Sequence, residues 1–366
     1  MRPVPISDRV LMGPGPCNPY PEVTAALTRP MLGHLDPELI ALLDETSDRL
    51  RQVFRTANRL TFPLSATGSA GMEASFVNFV RPGDHVVIGV NGVFGERMCD
   101  VAGRCGAEVV RVEAPWGQPL DPQALLDAHP SPAIIAVVHA ETSTGVRNEV
   151  APLGAGKGDA LLLVDCVTSL GGIPVEIDEW GVDIAYSGTQ KCLGVPPGLA
   201  PLTVGERALE RLLPKPQSWY LDLNMIAKYV TGEGARAYHH TAPISMIFAI
   251  HAGLGAVLDE GLESSWRRHQ ACGDELQRRL PELGFELFAQ EGSRLPELTT
   301  VWVPEALRPV EAKLRRALLD DYGIEIGGGL GAYAGQVWRI GLMGHTARLR
   351  NVALLDSALR ELLARS

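Results

Sequence analysis

Between about residues 60 and 204, short runs of β-branched and aliphatic residues alternate with stretches whose apolar residues recur at helical spacing. Several short runs are apolar at every position, which is typical of strands buried on both faces of a parallel sheet. Strands that alternate with helices in this way predict an α/β domain. The predicted strands are Leu60 to Leu64, His85 to Val90, Glu108 to Val112, Ile134 to His139, Leu161 to Asp165, Asp183 to Tyr186 and Leu199 to Val204.

The pattern changes after about Thr241 and predicts a smaller α+β domain packed on the first. The elements expected there are helices from Ile244 to Leu258, from Glu263 to Leu280, near Val310 to Leu319 and near Thr346 to Leu363, and strands from Phe285 to Phe288, Thr299 to Val303, Ile324 to Ile326 and Val337 to Ile340. The first 19 residues contain five prolines, which favours an extended arm. We therefore expect an arm at residues 1–19, a large domain at 20–255 and a small domain at 256–366.

Composition and charge narrow the classes of function. The 366 residues are 46% hydrophobic and 21% charged, as in globular proteins, and their net charge of −10 argues against general binding to a nucleic-acid backbone. The apolar runs are shorter than the roughly 18 residues of a membrane span, and the first ten residues lack a signal-peptide core. Six scattered cysteines without a C-x-x-C pair predict neither disulfides nor a metal site. We expect a cytoplasmic protein that binds no membrane.

Candidate chemistry lies just after the predicted strands, because ligands of open parallel sheets bind beyond the carboxyl ends of the strands. Residues 65–74 follow one strand and begin a helix, and most of them are small. Small residues let the backbone approach an anion, the first N–H groups of a helix are unpaired, and Thr67 and Ser69 add hydroxyls. This segment predicts a phosphate site, with an ordinary Ser/Thr helix cap as the alternative.

Two further strand ends carry charged residues. Asp165 ends a fully apolar run, and a buried carboxylate must either be protonated or face a cation. The alternative role for Asp165 is a helix cap at this turn. Lys191 lies between a later strand and a Pro/Gly-rich turn, and a desolvated lysine has a depressed pKa and can act as a Schiff-base nucleophile.

Two glycine-rich strings suggest phosphate loops but lack the required context. Residues 154–158 have no Ser or Thr after Lys157, so we interpret them as a turn. Residues 327–331 are not followed by a helix of the dinucleotide-binding type, and we interpret them as a mobile loop.

An anion site, a strand-end Asp and a strand-end Lys, in this order on an α/β sheet, are the groups that pyridoxal 5'-phosphate (PLP) requires. The sequence resembles the class V, fold-type I PLP-dependent aminotransferases, most closely the alanine-glyoxylate and serine-pyruvate aminotransferase group. The resemblance covers almost the whole chain and rests on residues 13–16 with Asn18, 89–92, 141–146, 161–165, 169–172, 187–191, 238–241, 265–267, 325–331 and 339–342. It implies a mostly parallel mixed sheet in the large domain and a smaller C-terminal α+β domain.

The resemblance also implies roles for individual residues toward the cofactor. Lys191 would form the internal aldimine and then move the proton, and Asp165 would pair with the pyridine N–H. Phe94 stands where the group commonly has a stacking Trp, and a Phe still offers a π face. The remaining cofactor contacts implied are Thr67, Gly68, Ser69 and Gln190 at the phosphate, Thr142 at the ring hydroxyl and Val167 against the ring.

Substrate and subunit contacts follow from the same resemblance. Arg339 would bind the substrate α-carboxylate, and Gly15 would line the substrate site. Tyr238 and Thr241 match positions that reach the phosphate of the neighbouring subunit, which implies a homodimer with shared active sites. The adjacent His239 and His240 would point to opposite faces of a strand, so we expect no metal pair. One departure is the stretch at 147–159, which is a shorter crossover than the group normally has.

The function implied is ping-pong transamination from a small L-amino acid, alanine or serine, to glyoxylate or pyruvate, because only one carboxylate-binding Arg is indicated. Other class V reactions, on aminoethylphosphonate, ureidoglycine or phosphoserine, remain open alternatives, as does a non-catalytic scaffold of the same fold. A cysteine desulfurase is disfavoured, since the only cysteine after Cys192 is Cys272, inside a predicted helix.

Overall fold

The computed structural model describes residues 6–231 and 236–365. Its strands are β1 (Val10–Leu11), β2 (Leu60–Leu64), β3 (His85–Val90), β4 (Glu108–Glu113), β5 (Ile134–Val138), β6 (Ala140–Glu141), β7 (Val146–Arg147), β8 (Leu161–Asp165), β9 (Ile184–Tyr186), β10 (Ala200–Val204), β11 (Glu286–Leu287), β12 (Leu298–Trp302), β13 (Ile324–Glu325), β14 (Gly327–Gly328) and β15 (Val337–Gly341). Its α-helices are α1 (Pro21–Ala26), α2 (Pro37–Phe54), α3 (Gly68–Val77), α4 (Val93–Arg104), α5 (Pro122–Asp127), α6 (Ala151–Gly156), α7 (Glu206–Leu209), α8 (Leu223–Val230), α9 (Ile244–Glu260), α10 (Leu262–Glu282), α11 (Glu311–Tyr322) and α12 (Leu349–Arg365).

A seven-stranded sheet of order β2-β10-β9-β8-β5-β3-β4 forms the centre of the larger part. Strand β10 is antiparallel to both of its neighbours, and the other neighbouring pairs are parallel. Every strand predicted between residues 60 and 204 lies in this sheet, with each end within one residue of its predicted position. The mostly parallel mixed sheet is therefore confirmed.

Alternate residues of the central strands enter different apolar clusters, because successive side chains of a strand point to opposite faces. Ile135 and Val137 of β5 pack in the cluster that includes α1, α2 and α9. Ile134 and Ala136 of the same strand pack in the cluster that includes α3, α4 and α8. Helices thus cover both faces of the sheet. Since both faces are buried in apolar clusters, polar side chains that bind a ligand are expected at the strand ends.

The C-terminal part contains a four-stranded antiparallel sheet of order β11-β12-β15-β14, with Trp338 fully buried against α10, α11 and α12. The prediction of a mobile loop at residues 327–331 was wrong for Gly327 and Gly328, which lie in a strand, and for Gly331, which begins a 3₁₀ turn. Gly327 and Gly328 form the edge strand β14 and pair with Arg339 and Trp338, and the Tyr333 ring stacks on Trp116 of the larger part at 5.2 Å between ring centres. Pairing with a strand that is distant in sequence determines the conformation of this segment, and the local glycine content does not report that pairing.

The N-terminal segment is also more structured than an extended arm. Strand β1 pairs in parallel with β13, which joins residues near the start of the chain to the C-terminal part. The predicted boundary between residues 255 and 256 falls inside α9, which packs on α1 and α2. The three-part division of the chain stays a prediction.

The crossover between β7 and β8 contains the short helix α6, so the prediction of a turn at residues 154–158 was wrong for its first three residues. Gly154 lies against the Trp180 carbonyl, where a Cβ atom would collide. Lys157 is not available to an anion, because its buried ammonium group donates to the Asp183 carboxylate and the Gly181 carbonyl. This ion pair connects the end of α6 in the short crossover to the residue before β9.

Among the described residues, no single helix combines the length and hydropathy of a membrane span. Only α9 and α10 taken together satisfy both criteria, and they are bent by 85° relative to each other.

Candidate active site

A cavity of about 120 Å³ lies beyond the carboxyl ends of β2, β5, β8 and β9. Eight of the residues predicted from the sequence line it, namely Gly68, Ser69, Phe94, Thr142, Asp165, Val167, Gln190 and Lys191. Thr67, Gly15, Arg339, Tyr238 and Thr241 lie outside this lining. The positions of the 65–74 segment, Asp165 and Lys191 follow from the strand ends, because parallel strands bring their carboxyl ends to one edge, whereas Phe94, Thr142, Val167 and Gln190 were implied only by the resemblance.

Lys191 follows β9 and is almost completely buried, with 8% of its surface exposed. Its ammonium group donates to the carbonyl oxygen of Pro14. A Cβ atom on Gly15 would lie 2.5 Å from the Lys191 Nζ atom, and Gly15 has a positive φ of 110°. Glycine is thus the residue that lets the N-terminal segment pass over the amine. Burial is the main reason that the pKa of Lys191 is lowered to about 8, and the nearby Arg339 charge contributes to this shift.

Asp165 ends β8 with both carboxylate oxygens held. Its Oδ1 atom accepts a hydrogen bond from the Val167 N–H at 2.7 Å, and its Oδ2 atom accepts one from the Tyr186 hydroxyl at 2.7 Å. Burial raises the pKa of Asp165 to about 6, and these hydrogen bonds oppose the rise. The alternative role as a helix cap fails, because no α-helix lies between β8 and β9. Asp165 therefore presents an oriented carboxylate beside the cavity.

Tyr186 was not identified as a functional residue from the sequence. It occupies the last position of β9, directly beside the end of β8, and its ring is fully buried. Its position at a strand end, one residue before the Ser187 to Lys191 segment, was the available signal.

The N-terminus of α3 faces the cavity through Gly68 and Ser69. Its first intrahelical bonds run from the N–H groups of Ala70 and Gly71 to the Thr67 carbonyl, so the N–H groups of Gly68 and Ser69 precede the helical ladder. Thr67 is the N-cap residue, but within the described chain its side chain makes no capping bond. The Ser/Thr cap alternative is thus wrong for this hydroxyl, and the helix end remains suited to an anion.

Arg97 is a second lining residue that sequence reasoning missed. It lies one turn after Phe94 on α4, with its guanidinium group 4.9 Å from the Phe94 ring centre, and it donates to the Ser69 hydroxyl at 3.3 Å. The spacing of three residues from a predicted aromatic contact was the signal that could have found it. Arg97 adds positive charge to the end of the cavity formed by α3.

Arg339 lies on β15, behind Thr142, and is 7% exposed. Its Nε–H donates to the Gly328 carbonyl at 2.8 Å and its Nη1–H to the Thr142 carbonyl at 3.4 Å. Burial lowers the pKa of Arg339 to about 10, while the Glu141 charge opposes the shift. The guanidinium group is therefore fixed beside the lining although it does not form part of it.

Tyr238 and Thr241 bond to each other, with 2.9 Å between the Tyr238 hydroxyl and the Thr241 Oγ1 atom, and Tyr238 is 50% exposed. The prediction that His239 and His240 lie on a strand and point apart was wrong. Neither belongs to a strand, and their Nδ1 atoms are 2.7 Å apart. Within residues 6–231 and 236–365, no three His, Cys, Asp or Glu side chains are grouped as a metal site.

The chemistry of the cavity fits PLP. The Gln190 Oε1 atom is buried and has no hydrogen-bond partner in the described chain, which leaves a polar side chain free for a bound group. The α3 N-terminus and Arg97 suit a phosphate, Asp165 suits a protonated ring nitrogen, and Lys191 suits an aldehyde.

Comparisons with known proteins agree with this geometry. The sequence matches the Aminotransferase class-V family over residues 17–348. It is 39% identical to the alanine-glyoxylate aminotransferase of Callithrix jacchus, over 99% of this chain and 89% of that one, and 34% identical to the (S)-ureidoglycine-glyoxylate transaminase of Bacillus subtilis, over 98% and 91%. The crystal structure of an alanine-glyoxylate aminotransferase from Nostoc sp. superposes with a TM-score of 0.96 and 45% identity, over 99% of this chain and 97% of that one. The chain therefore belongs to the class-V aminotransferases and is a PLP-dependent enzyme of fold type I.

Proposed function

We propose that this aminotransferase moves an amino group from a small L-amino acid, alanine or serine, to glyoxylate or pyruvate in a ping-pong cycle. The observation that carries the proposal is that Lys191 and Asp165 line one small cavity, with Arg339 fixed beside that lining. An amine, a carboxylate and a guanidinium group are the side chains that this reaction needs. The names of the relatives from Callithrix jacchus and Nostoc sp. support alanine as the donor and glyoxylate as the acceptor.

When bound, PLP supplies an aldehyde and an electron-withdrawing ring. Asp165 is placed to hold the ring N–H, because Val167 and Tyr186 orient its two oxygens. The α3 N-terminus would hold the phosphate together with Thr67, Ser69 and Gln190. Thr142 would bond the ring hydroxyl, and Phe94 and Val167 would pack on the two ring faces.

Lys191 is proposed as the nucleophile and the proton carrier. Its pKa of about 8 leaves a useful fraction of neutral amine near pH 7, whereas an exposed lysine would be almost fully protonated. The Pro14 carbonyl accepts a hydrogen bond from the Nζ atom, and Gly15 has no side chain that would overlap the amine. The amine can thus exchange a proton with an atom bound in the cavity without a change in the backbone.

Arg339 is proposed to bind the substrate carboxylate, which a planar guanidinium group can hold through two parallel hydrogen bonds. The other cation of the lining besides Lys191, Arg97, is engaged with Phe94 and Ser69 at the phosphate end. Among the described residues that line the cavity, a distal carboxylate on the substrate would therefore find no free cation, which favours donors with small uncharged side chains.

We also propose that two copies of the chain share their active sites. Tyr238 and Thr241 lie outside the cavity of their own chain, and Tyr238 belongs to an exposed aromatic surface with Trp219 and Tyr220, which are 60% and 41% exposed. Their rings contact His34, His239 and His240 respectively. A surface of this composition is typical of a buried protein interface.

A donor panel tests the proposed reaction. The purified enzyme, supplied with PLP, is assayed with alanine, serine, (S)-ureidoglycine, phosphoserine and 2-aminoethylphosphonate, each against glyoxylate and pyruvate. We expect alanine or serine to have the highest kcat/KM and Lys191→Ala to have no turnover despite a native circular dichroism spectrum. Preference for ureidoglycine would favour the reaction named for the Bacillus subtilis relative. A protein that binds PLP and transaminates none of these donors would refute the proposal.

A further inference from the structure

Glu141 is a buried carboxylate that the proposed mechanism does not use. It lies at the end of β6 and has no exposed surface. Its Oε1 atom accepts hydrogen bonds from the Ser143 N–H at 3.0 Å and the Ser143 hydroxyl at 2.5 Å. Its Oε2 atom accepts from the N–H groups of Phe94 at 3.1 Å and Gly95 at 3.4 Å. Burial raises the pKa of Glu141, but every one of these neighbours is a donor, and the hydrogen bonds from Ser143 and Gly95 oppose the rise and favour the ionised carboxylate.

These contacts place Glu141 at the N-terminus of α4. The N-cap residue, Gly92, has no side chain to cap the helix, and the Ser143 hydroxyl accepts the hydrogen bond of the Val93 N–H at 2.9 Å. Glu141 and Ser143 together bind the first three N–H groups of α4, and a negative charge at this end of a helix is stabilising. A Cβ atom on Gly92 would collide with both side chains, so glycine is required for this cap to form.

The capped turn belongs to the active site. Phe94, whose N–H bonds to Glu141, presents its ring to the cavity, and Arg97 follows on the next turn. The cap thus determines where the ring that would stack on the cofactor lies. Substituting the carboxylate would release the first turn of α4 and the Phe94 ring with it.

Glu141 belongs to the hairpin formed by β6 and β7, and this hairpin also contacts Arg339. Thr142, between Glu141 and Ser143, accepts a hydrogen bond from the Arg339 guanidinium group through its carbonyl. The charge of Glu141 acts on Arg339 and favours its protonated form. One carboxylate therefore contacts the ring-stacking helix directly and the proposed substrate-binding cation through its neighbour and its field.

We propose that Glu141 is a positioning residue for transamination, whose carboxylate orients Phe94 through the α4 cap and holds the guanidinium group of Arg339 in place through the adjacent Thr142. This inference rests on the proposed function, in which Arg339 binds the substrate carboxylate and Phe94 stacks on the cofactor.

The decisive variant is Glu141→Gln, which keeps the side-chain size and one acceptor oxygen but removes the charge and turns an amide donor toward backbone donors. We expect KM for L-alanine to rise about tenfold with a smaller fall in kcat, because substrate binding depends on Arg339. We also expect the Kd of the apoprotein for PLP, measured by fluorescence titration, to rise several-fold, because Phe94 is released. The near-ultraviolet circular dichroism of bound PLP should change as well.

Two comparison variants separate positioning from stability. Ser143→Ala breaks the same cap but leaves the carboxylate charge, so it should lower Tm with a smaller effect on KM. Asp121→Asn weakens the carboxylate cap of α5, where Asp121 accepts the Gln123 N–H at 2.9 Å outside the cavity, and should leave KM and the Kd for PLP unchanged.

The activity of the wild-type enzyme distinguishes failure of the proposed function from failure of the positioning role of Glu141. Absence of transamination with both alanine and serine in the wild type refutes the proposed function, whatever the variants do. An active wild type with unchanged KM and Kd for PLP in Glu141→Gln refutes the positioning role alone. Equal effects of Glu141→Gln and Ser143→Ala on Tm and KM would also refute it, because loss of the cap would then explain both.

Discussion

At the scale of single residues, burial governs the chemistry of this site. A charged form is disfavoured when it leaves water, so burial lowers the pKa of Lys191 and raises the pKa of Asp165. The lowered lysine pKa yields a nucleophile near neutral pH. The raised aspartate pKa works against binding a ring N–H, and hydrogen bonds must oppose it. The hydrogen bond from Tyr186 therefore helps to keep the Asp165 carboxylate ionised.

We expect Tyr186→Phe to impair cofactor binding. The substitution removes the 2.7 Å hydrogen bond to Asp165 and raises the pKa of that carboxyl further. A tenfold loss in kcat/KM, equivalent to about 1.4 kcal/mol, and a weaker Kd for PLP should follow. Tyr229→Phe, which removes a hydroxyl bonded to the His34 carbonyl at 2.6 Å, is the matched control and should change only Tm. Equal kcat/KM in Tyr186→Phe and the wild type would contradict the role of Tyr186.

Glu297 predicts a pH dependence of stability. Both of its oxygens are buried without a hydrogen-bond partner in the described chain, and burial raises its pKa from 4.5 to about 8. The folded state then holds a proton that the unfolded state releases above pH 4.5. The contribution of Glu297 to stability is therefore fully present below about pH 4.5 and is lost as the pH rises toward 8.

The variant Glu297→Gln does not titrate and should flatten this part of the profile. The Tm of the variant should gain on that of the wild type by several degrees between pH 5 and pH 8, measured by differential scanning calorimetry. Parallel Tm curves over this range would show that Glu297 is ionised in the folded protein.

At the scale of secondary-structure elements, the short crossover depends on one buried ion pair. The side chains of Lys157 and Asp183 are 7% and 6% exposed, and Asp183 also accepts the Leu162 N–H at 2.8 Å. The pair joins the end of α6 to the start of β9 and lies beside β8, which carries Asp165. The ion pair contacts the start of β8 through Leu162, whereas Asp165 lies at the other end of the same strand.

We expect Asp183→Asn to lower the free energy of unfolding by about 3–5 kcal/mol, because it leaves the Lys157 charge buried without its partner. Urea denaturation measures the loss, and kcat of the folded fraction should stay near the wild-type value. The double variant Lys157→Met with Asp183→Asn keeps an acceptor for Leu162 and should recover part of the stability. Lack of recovery would mean that the ion pair is not the cause.

At the scale of the whole molecule, the proposed dimer predicts complementation between inactive variants. One variant is Lys191→Ala, and the other combines Tyr238→Ala with Thr241→Ala. If each site takes Lys191 from one subunit and Tyr238 with Thr241 from the other, a mixed dimer contains one intact site. Co-expressed chains with different tags, purified as the hybrid, should then recover up to half of the wild-type kcat.

The hybrid assay has two informative failures. A monomeric wild type in analytical ultracentrifugation would refute the dimer. A hybrid that forms and stays inactive would refute sharing of the sites, because each cavity would then be complete within its own chain.

Pattern alone predicted the central sheet, since a strand buried on both faces must be apolar at every position whatever its neighbours are. Asp165 and Lys191 were predicted to lie in the site because they follow strands, and the carboxyl ends of parallel strands lie at one edge of a sheet. The residue roles in the site came from the resemblance and stay proposals. Residues 327–331 and the histidine pair were misread, since glycine content and sequence adjacency do not report partners that are distant in the chain.

The amino-acid sequence by itself determined the α/β core and the edge of the sheet where the chemistry lies, because hydrophobic periodicity and strand-end residues are local properties. The family followed from the resemblance of its motifs to those of a known family. Only the tertiary structure decided that Tyr186 holds Asp165, that Gly15 passes over Lys191 and that Glu141 caps α4 beside Arg339. These contacts join residues from separate elements, and their energies depend on burial and orientation. Such quantities exist only once the chain has folded.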